Sequence, residues 1–164
     1  MDELIDIVNK KDEVISKNLK TVAHSDILIH RTVHWVVVNK DNQIFLVKRS
    51  LNREKGAWLF DASIWWHVLS WETYMEAIIR EGEEELGIKN WKYIFVCKYF
   101  SDHPRMKHIC SVFIINFLWN IKLDPREFDS WEWIDYRDII SFPSECFTPD
   151  YLITLDSIRN FFNS

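Results

Sequence analysis

Short runs of β-branched and aromatic residues alternate along the chain with polar, turn-forming segments. The runs cover residues 4–8, 13–15, 32–38, 44–48, 92–100 and 109–118. Runs of this length and composition are typical of β-strands. The tetrapeptide NKKD follows the first run and NKDNQ follows the third, and both are rich in turn-forming residues. We therefore expect two hairpins there, whereas SDHPRMKH is expected to form a loop between the last two strands.

A helical period replaces the strand pattern after Thr73. Apolar or small residues recur there near helical spacing, at Met75, Ile78, Ile79, Gly82 and Leu86. Gly87 stands where such a helix would end, because glycine readily adopts the left-handed conformation that closes a helix. The spacing therefore predicts a helix from Thr73 to Leu86.

The C-terminal part of the chain predicts further helices. The segment SWEWIDYRDIISF indicates a brief strand and a short helix, which Pro143 interrupts. Thr148 precedes Pro149, the order expected at a helix start, so the last helix is predicted to run from there to about Phe162. Because strands and helices alternate irregularly, we expect an α/β sandwich with a mixed sheet rather than a regular parallel barrel.

Length and charge restrict the class of protein. The chain has 164 residues, 48% of them hydrophobic, and a formal net charge of -5. This length suits a single domain over residues 1–164. The negative charge argues against binding of a nucleic acid polymer through bulk positive charge. The longest apolar runs are shorter than the roughly 20 residues that a spanning helix needs, so no membrane span is expected.

The cysteines and the N-terminal residues indicate the cellular compartment. Cys97, Cys110 and Cys146 are odd in number and lack the spacing of a zinc site. They are therefore expected to be unpaired thiols in a reducing compartment. The first residues, MDELIDIVNKKDEV, lack the basic and apolar blocks of an export signal. Together these features predict a cytoplasmic protein.

The predicted helix carries a cluster of acidic residues. Glu81, Glu84 and Glu85 fall at positions i, i+3 and i+4, so their carboxylates share one face of the helix. Like charges at this spacing weaken a helix by roughly 0.2–0.5 kcal/mol per pair. A hard divalent cation with oxygen ligands would relieve that repulsion, and the alternative is a solvated acidic face. Arg80 could form an ion pair with Glu72, about two turns before it.

The segment 66–88 resembles the Nudix box, G-x5-E-x7-R-E-U-x-E-E-x-G-U, in which U is an aliphatic residue. The glutamates, the arginine and the final glycine stand at the required spacing. Two positions depart from the motif, because Trp66 replaces the first glycine and Gly82 replaces the first aliphatic residue. A motif this long and gapped is more specific than a bare cluster of charges.

The resemblance extends over nearly the whole chain. The segments HRTVHWVVVN, LVKRS, DASIWWHV, FDSWEW and FTPDYLITLDSIRNFF look like those of Nudix proteins related to isopentenyl-diphosphate isomerase. This resemblance implies an α/β/α sandwich around a mixed sheet. It also implies hydrolysis of a nucleoside diphosphate linked to another group X, with Mg²⁺ or Mn²⁺ as the cofactor.

The resemblance assigns roles to residues of the box. Glu81, Glu84 and Glu85 would bind the metal, and Arg80 with Glu72 would orient the helix against the preceding loop. Glu81 or Glu84 could also accept the proton of the attacking water. A metal that bridges diphosphate oxygens reduces their repulsion of the incoming water, so this chemistry suits these residues.

The isomerases of this superfamily require a catalytic cysteine just before a histidine that here is His67. Trp65 and Trp66 stand at the two positions before it, and the glutamate of a later strand is also missing. His24 and His30, together with His67, partly resemble the histidines of the isomerase metal site. An unpaired histidine is more often structural than a ligand. We therefore rank hydrolase above isomerase.

Basic residues between the second predicted hairpin and the box are candidates for substrate binding. Lys48, Arg49, Arg53 and Lys55 lie in KRSLNREK. Their positive charges could meet substrate phosphates, and a solvated loop explains them equally well. The expected substrate is a small diphosphate, and the sequence leaves both the group X and the oligomeric state open.

Tryptophan is unusually frequent and glycine unusually rare, with nine and three residues respectively. Tryptophan stands at positions where relatives carry glycine or where a turn is expected, namely Trp58, Trp65, Trp66, Trp71, Trp91 and Trp119. Glycine is favoured where φ is positive or where the backbone approaches a ligand. A side chain at such a site costs about 1–2 kcal/mol.

These positions raise the hypothesis that the codon UGA, which encodes glycine in some bacteria, has been translated as tryptophan. UGA codons at positions 65, 66 and 71, with UGG at 133, would support it, and UGG at the first three would exclude it. If the tryptophans are genuine, two indoles would crowd the diphosphate pocket. The protein would then be a catalytically impaired diphosphate-binding module.

Overall fold

The computed structural model of the protein describes residues 2–52, 56–61, 64–86, 92–116 and 128–162. Its strands are β1 (Leu4–Val8), β2 (Val14–Leu19), β3 (His30–Val38), β4 (Gln43–Arg49), β5 (Phe60–Asp61), β6 (Ile64–His67), β7 (Tyr93–His103), β8 (Met106–Asn116) and β9 (Phe128–Asp135). Its helices are α1 (Lys20–Ser25), α2 (Tyr74–Leu86), α3 (Tyr136–Ile139), α4 (Pro149–Ser157) and α5 (Arg159–Phe162), with a 3₁₀ turn at Ser144–Cys146.

Strand β3 is the centre of a mixed sheet. It pairs in parallel with β8 over its whole length and antiparallel with β6 and β1. Strand β4 continues the sheet by pairing antiparallel with β9 and β5, and β7 pairs antiparallel with β8. Parallel and antiparallel pairs coexist in one sheet, which confirms the predicted fold class.

The predicted hairpins are present with differences in their pairing. Strands β1 and β2 pair antiparallel around the NKKD turn, as expected. The next two strands meet only at Val38 and Ile44 beside their turn, and β4 then pairs with β9. The loop predicted for SDHPRMKH is wrong, because β7 and β8 stay paired as far as His103 and Met106. Polar residues suit the end of a hairpin that projects into solvent, so polarity alone does not identify a loop.

The box helix α2 forms where the periodicity predicts it. Its start is stabilised by a reciprocal capping arrangement, in which the Thr73 amide donates to Glu76 Oε2 at 2.8 Å and the Glu76 amide donates to Thr73 Oγ1 at 3.2 Å. The last helix does begin after Thr148, but it is interrupted at Ile158 rather than continuous. The short helix α1 is not indicated by any pattern identified above.

Helices cover both faces of the sheet. Ala77 and Ile78 of α2 pack on one face of β3, against Val33, Trp35 and Val37. Tyr151 and Leu155 of α4 pack on the opposite face, against residues that include Val36 and Val38. The alternation of side chains along β3 therefore supplies two cores, as expected for an α/β/α sandwich. In the described part of the chain, every helix is too short or too polar to cross a membrane.

At Gly82 the helix α2 lies directly against a buried side chain of the sheet. A Cβ atom placed on Gly82 would lie 1.8 Å from Cη2 of Trp35, and Trp35 is fully buried. The indole therefore occupies the space that an aliphatic residue of the box would otherwise fill. This contact explains why the chain departs from the motif at Gly82.

We expect Gly82→Ala to lower the free energy of unfolding by about 3 kcal/mol, because the methyl group overpacks a rigid ring. Urea unfolding measures the loss, and Glu83→Ala at the neighbouring exposed position is the control, expected within about 0.5 kcal/mol of the parent. Combining Gly82→Ala with Trp35→Phe should cost less than the two single losses together. Equal losses from the glycine variant and its control would contradict the packing account.

Candidate functional site

The loop before α2 is tied to the helix by Glu72. The Leu69 amide donates to Glu72 Oε2 at 3.0 Å, and the Glu72 amide donates back to the Leu69 carbonyl at 2.9 Å. The same carboxylate accepts two hydrogen bonds from Arg80, from Nε at 2.5 Å and from Nη2 at 2.9 Å. A bidentate pair of this kind fixes direction as well as distance. The ion pair suggested by the spacing of Glu72 and Arg80 is therefore present.

Arg80 also contacts two further carboxylates of the box. Its Nη1 donates to Glu81 Oε1 and lies 3.5 Å from Glu84 Oε2. The two glutamates differ in exposure, since the Glu81 side chain is almost fully buried and the Glu84 side chain is 62% exposed. Hydrogen bonds to Glu72 raise the pKa of Arg80 above its usual range, so its guanidinium is charged at every relevant pH.

The structure therefore brings Glu72, Glu81 and Glu84 together around the guanidinium of Arg80. The side chain of Glu85, the third predicted metal ligand, lies outside the described residues. A groove of about 420 Å³ opens beside this cluster, and its lining includes Trp71, Ile79 and Glu84. Oxygen ligands of this kind suit hard divalent cations.

The predicted phosphate-binding residues lie on a different part of the sheet. Arg49 pairs with Asp61, with 3.0 Å between Nη1 and Oδ2. The ammonium group of Lys48 lies 3.9 Å from the centroid of the Trp58 ring, which is a cation–π contact. Arg53 lies outside the described residues.

The tryptophans at expected glycine positions differ in backbone conformation. Trp58 has a φ of 67°, in the left-handed region that favours glycine. Trp65 and Trp66 lie in strand β6, and Trp71 lies in a turn without a positive φ. A positive φ therefore accounts for the expected glycine at Trp58. At the other three positions the φ is not positive, and close approach of the backbone to a ligand stays the prediction. Trp91 and Trp119 lie outside the described residues.

Three histidines that are far apart in sequence meet beside β3. Nitrogen atoms of His24, His30 and His67 all lie within 4.8 Å of one another. His24 Nε2 is 2.9 Å from His67 Nε2, and the rings of His30 and His67 stack with centroids 5.2 Å apart. Pairing of β6 with β3 and the position of α1 bring these side chains together.

The tautomer of His30 leaves one nitrogen available to a ligand. Its Nδ1 lies 2.9 Å from the Leu28 carbonyl, so in the neutral ring this nitrogen donates and Nε2 carries the lone pair. That Nε2 and His67 Nδ1 are buried without a hydrogen-bond partner. Burial lowers the pKa of His30 to about 4 and that of His67 well below its usual value. Both rings are therefore neutral at pH 7, the form that binds metals.

A fourth histidine extends this group toward α4. His108 is fully buried, and its ring centroid lies 6.2 Å from that of His30. Its Nε2 lies 3.4 Å from Asp150 Oδ1, and Ser101 donates to the same oxygen at 3.2 Å. Nearby, His34 Nδ1 is 2.5 Å from Thr154 Oγ1.

No motif in the sequence assigned His34 or His108 to a site. The available signal was the alternation of His30, Thr32 and His34 in a strand that is otherwise apolar. Residues at alternate positions share a face, so this pattern predicts a polar row on one side of β3. His30 of β3 and His108 of β8 are partners in the parallel pairing of the two strands. No pattern in the sequence indicates this pairing.

Trp65 fills the space between these imidazoles. Its ring makes edge-on contacts with His34, His67 and His108 at centroid distances of 6.2, 4.8 and 6.0 Å. The indole Nε1 is buried without a hydrogen-bond partner, an arrangement that costs about 1–3 kcal/mol. Glycine at position 65 would leave this polar space to a ligand or to water.

Known proteins resemble this chain over most of its length. The NUDIX domain family matches residues 28–153. An RNA pyrophosphohydrolase of Pelagibacter ubique is 32% identical, over 63% of this chain and 75% of that protein. An uncharacterised Nudix hydrolase of Yersinia pestis is 28% identical, over 93% of this chain and 84% of that protein.

Solved structures show the same fold. The crystal structure of DR0079 from Deinococcus radiodurans has a TM-score of 0.77 and 23% identity, covering 94% of this chain and 98% of that one. The NUDIX domain of Shewanella oneidensis NrtR, solved with ADP ribose, has a TM-score of 0.62 and 15% identity, covering 79% and 86% of the two chains.

The buried histidines predict that the metal-free protein loses stability in acid. His30 and His108 have pKa values of about 4 when folded, because both are buried, against about 6.5 when unfolded. Stability is therefore fully present above pH 6.5 and decreases as the pH falls toward 4, because only the unfolded chain takes up these protons. The slope is about 1.4 kcal/mol per pH unit for each imidazole.

Urea unfolding in EDTA at pH 7, 6 and 5 measures this slope. His108→Asn should flatten it, because this variant has one imidazole fewer to take up a proton on unfolding. Burial raises the pKa of Asp150, so this carboxyl takes up a proton more readily in the folded protein and acts in the opposite direction. Stability that is constant from pH 7 to 5 would contradict the assignment of neutral buried rings.

Proposed function

Because the chain belongs to the NUDIX domain family, we propose that it hydrolyses a diphosphate linkage in a nucleoside diphosphate derivative through metal-assisted attack of water. The carboxylate cluster around Arg80 is the observation that carries this proposal. Glu72, Glu81 and Glu84 contact one guanidinium in the segment that matches the Nudix box. The names of the relatives, which include an RNA pyrophosphohydrolase and Nudix hydrolases, support the same chemistry.

The box glutamates fit a hard divalent cation. Glu81, Glu84 and Glu85 would hold Mg²⁺ or Mn²⁺, since carboxylates are the ligands these ions prefer. When bound, the ion neutralises charge on the diphosphate and stabilises the leaving phosphate. Glu84 is solvent-accessible beside the groove, so a cation can reach it without disturbing the core.

The remaining residues of the cluster position the glutamates. Arg80 is bound to Glu72 in bidentate fashion, and Glu72 also accepts the Leu69 amide. These contacts fix the helix against its loop, so the glutamates are preorganised before substrate arrives. Of the two candidate bases, Glu84 is the better placed to accept a proton from water, because Glu81 is buried and hydrogen-bonded to Arg80.

The substrate is proposed to be a small molecule. Shewanella oneidensis NrtR, whose NUDIX domain shares this fold, binds ADP ribose, which is a nucleoside diphosphate derivative. Lys48 is the better-supported contact for a substrate phosphate, since Arg49 is paired with Asp61; Arg53 remains a further candidate. All three cysteines are unpaired, in keeping with a cytoplasmic protein.

Glu84→Gln should lower kcat by about a hundredfold, because it removes a proposed metal ligand and base without changing the size of the side chain. Release of phosphate, pyrophosphate or nucleoside monophosphate from ADP-ribose, dinucleotides, nucleotide sugars and 5′-triphosphate RNA, with Mg²⁺ or Mn²⁺, measures the activity. Glu132→Gln, at an exposed position on β9 that does not line the groove, is the matched control and should keep the parent rate.

The same assay tests the tryptophans. A variant with glycine at positions 65, 66 and 71 is compared with the parent chain. Turnover only in the glycine form would identify the parent as an impaired binding module. Failure of both forms on every substrate, with and without metal, would refute the proposed hydrolase.

The histidine cluster favours a second candidate, a metal-binding function related to that of the isomerase subgroup. His24, His30 and His67 converge although 43 residues separate the first from the last, and neutral imidazoles suit Zn²⁺ and Mn²⁺. Isomerisation itself is disfavoured, because tryptophan stands where that chemistry needs cysteine and the later acidic residue is missing.

We expect the protein to bind one equivalent of Zn²⁺ at these histidines at pH 7. His67→Ala should weaken that binding more than tenfold, because it removes one of three ligands. Isothermal titration calorimetry with Zn²⁺ measures the affinity, with His103→Ala as a histidine control and Glu84→Gln to separate this site from the box. Unchanged affinity in His67→Ala would refute the second site.

A further inference from the structure

The N-terminal hairpin lies outside the matched residues 28–153, yet it contacts the loop that leads into the box helix. Ile5 forms an antiparallel bridge with Leu69. The Ser70 amide donates to the Leu4 carbonyl at 2.9 Å. Lys17 of β2 also reaches this loop, with 3.4 Å between its Nζ and the Ser70 carbonyl. The hairpin therefore holds the first residues of the box loop through its backbone.

The turn of the hairpin holds the other end of the loop. Asp12, in that turn, accepts a hydrogen bond from the hydroxyl of Tyr74 at 3.0 Å, and Tyr74 is the first residue of α2. The same carboxylate accepts from Arg31 Nε at 2.7 Å and from Lys98 Nζ at 2.5 Å. These partners come from β3 and β7, so Asp12 connects the helix start to two strands of the sheet.

Asp12 is held firmly in this place. Its backbone carbonyl accepts a further hydrogen bond from Arg31 Nη2 at 2.7 Å, and its side chain is only 17% exposed. Burial alone would raise its pKa, but the hydrogen bonds from Lys98 and Arg31 outweigh burial and lower it. The carboxylate is therefore ionised at neutral pH and keeps its three donors.

The two anchor points enclose the residue that organises the box. Leu69 is bridged by the hairpin at Ile5, and its amide donates to Glu72 Oε2. Tyr74 follows Glu72 by two positions and is tied to Asp12. Glu72 in turn binds Arg80, which contacts the box glutamates. If Leu69 or Tyr74 moves, Glu72 moves with it. The carboxylate cluster then changes its geometry, because Glu72 binds Arg80.

We propose that the N-terminal hairpin is a brace for the box helix, with Asp12 as a positioning residue that sets where α2 begins. This inference rests on the proposed hydrolase function for its kinetic consequence, and its structural consequence is independent of that function. Asp12 touches no reacting group. It acts through Tyr74 on the helix that carries the metal-binding and catalytic glutamates.

Asp12→Asn tests the brace with little steric change. Asp12 has a φ of 66°, and the turn between β3 and β4 carries Asn42 at a φ of 59°, so asparagine tolerates this conformation. Asp41→Asn, at an exposed position in that second turn, is the matched control. Hydrogen exchange followed by mass spectrometry reads the amides of residues 74–80 separately from those of β3 and β8.

We expect exchange in residues 74–80 to be about tenfold faster in Asp12→Asn, with β3 and β8 unchanged, and no change in the control. With a substrate that the parent hydrolyses, kcat should fall about tenfold while KM changes less than twofold, because geometry at the cluster is altered and not the substrate pocket. Exchange at 74–80 equal to that of the control would overturn the proposal.

A milder variant covers the case in which Asp12→Asn does not fold. Tyr74→Phe removes one hydrogen bond and leaves the ion pairs of Asp12 intact. A smaller acceleration of exchange confined to residues 74–80 supports the brace, and unchanged exchange overturns it. If neither the parent chain nor its glycine variant is active, the hydrolase is refuted, while this exchange measurement still decides the role of the hairpin.

Discussion

One guanidinium carries the positive charge on which the box region depends. Arg80 is shared by Glu72, Glu81 and Glu84, and the first two of these carboxylates are nearly buried. A buried carboxylate without a partner is strongly destabilising, so this arrangement exists only while the arginine is in place. The arginine also joins the loop to the helix, because Glu72 belongs to the loop. Charge compensation and geometry are therefore properties of the same set of contacts.

The helix that carries this cluster is positioned by close packing. Trp35 reaches under α2 to the point where Gly82 has no side chain, and the N-terminal hairpin contacts the loop at Leu69 and the helix at Tyr74. The glutamates thus lie on a helix that packs against the sheet at Gly82 and contacts the hairpin at its first residue. Packing and hydrogen bonds around a helix hold its side chains in one geometry before a ligand arrives.

The opposite face of β3 has a different character. His30, Thr32 and His34 form a buried polar row there, and Val36 and Val38 continue the same face as apolar core. A polar row in a core is costly unless its groups find partners. Two nitrogens of this row, His30 Nε2 and His34 Nε2, have no hydrogen-bond partner, and the indole of Trp65 packs against His34. These features make the row a candidate ligand site separate from the box.

Local patterns in the sequence determined strands β1 to β4 and β7 to β9 in outline, the helix α2 and the spacing of Glu72, Arg80 and the box glutamates. The short strands β5 and β6 had no such pattern. Periodicity and charge spacing are set by residues a few positions apart, so they can be identified without a fold. Tertiary structure alone decided the meeting of His24, His30 and His67, the pairing of His108 with His30, and the extension of the β7–β8 hairpin through SDHPRMKH. It also decided that Trp58 has a strained backbone while Trp65 and Trp66 lie in an extended strand. These outcomes depend on strand register and on packing between distant segments, and no local pattern in one chain encodes either of them.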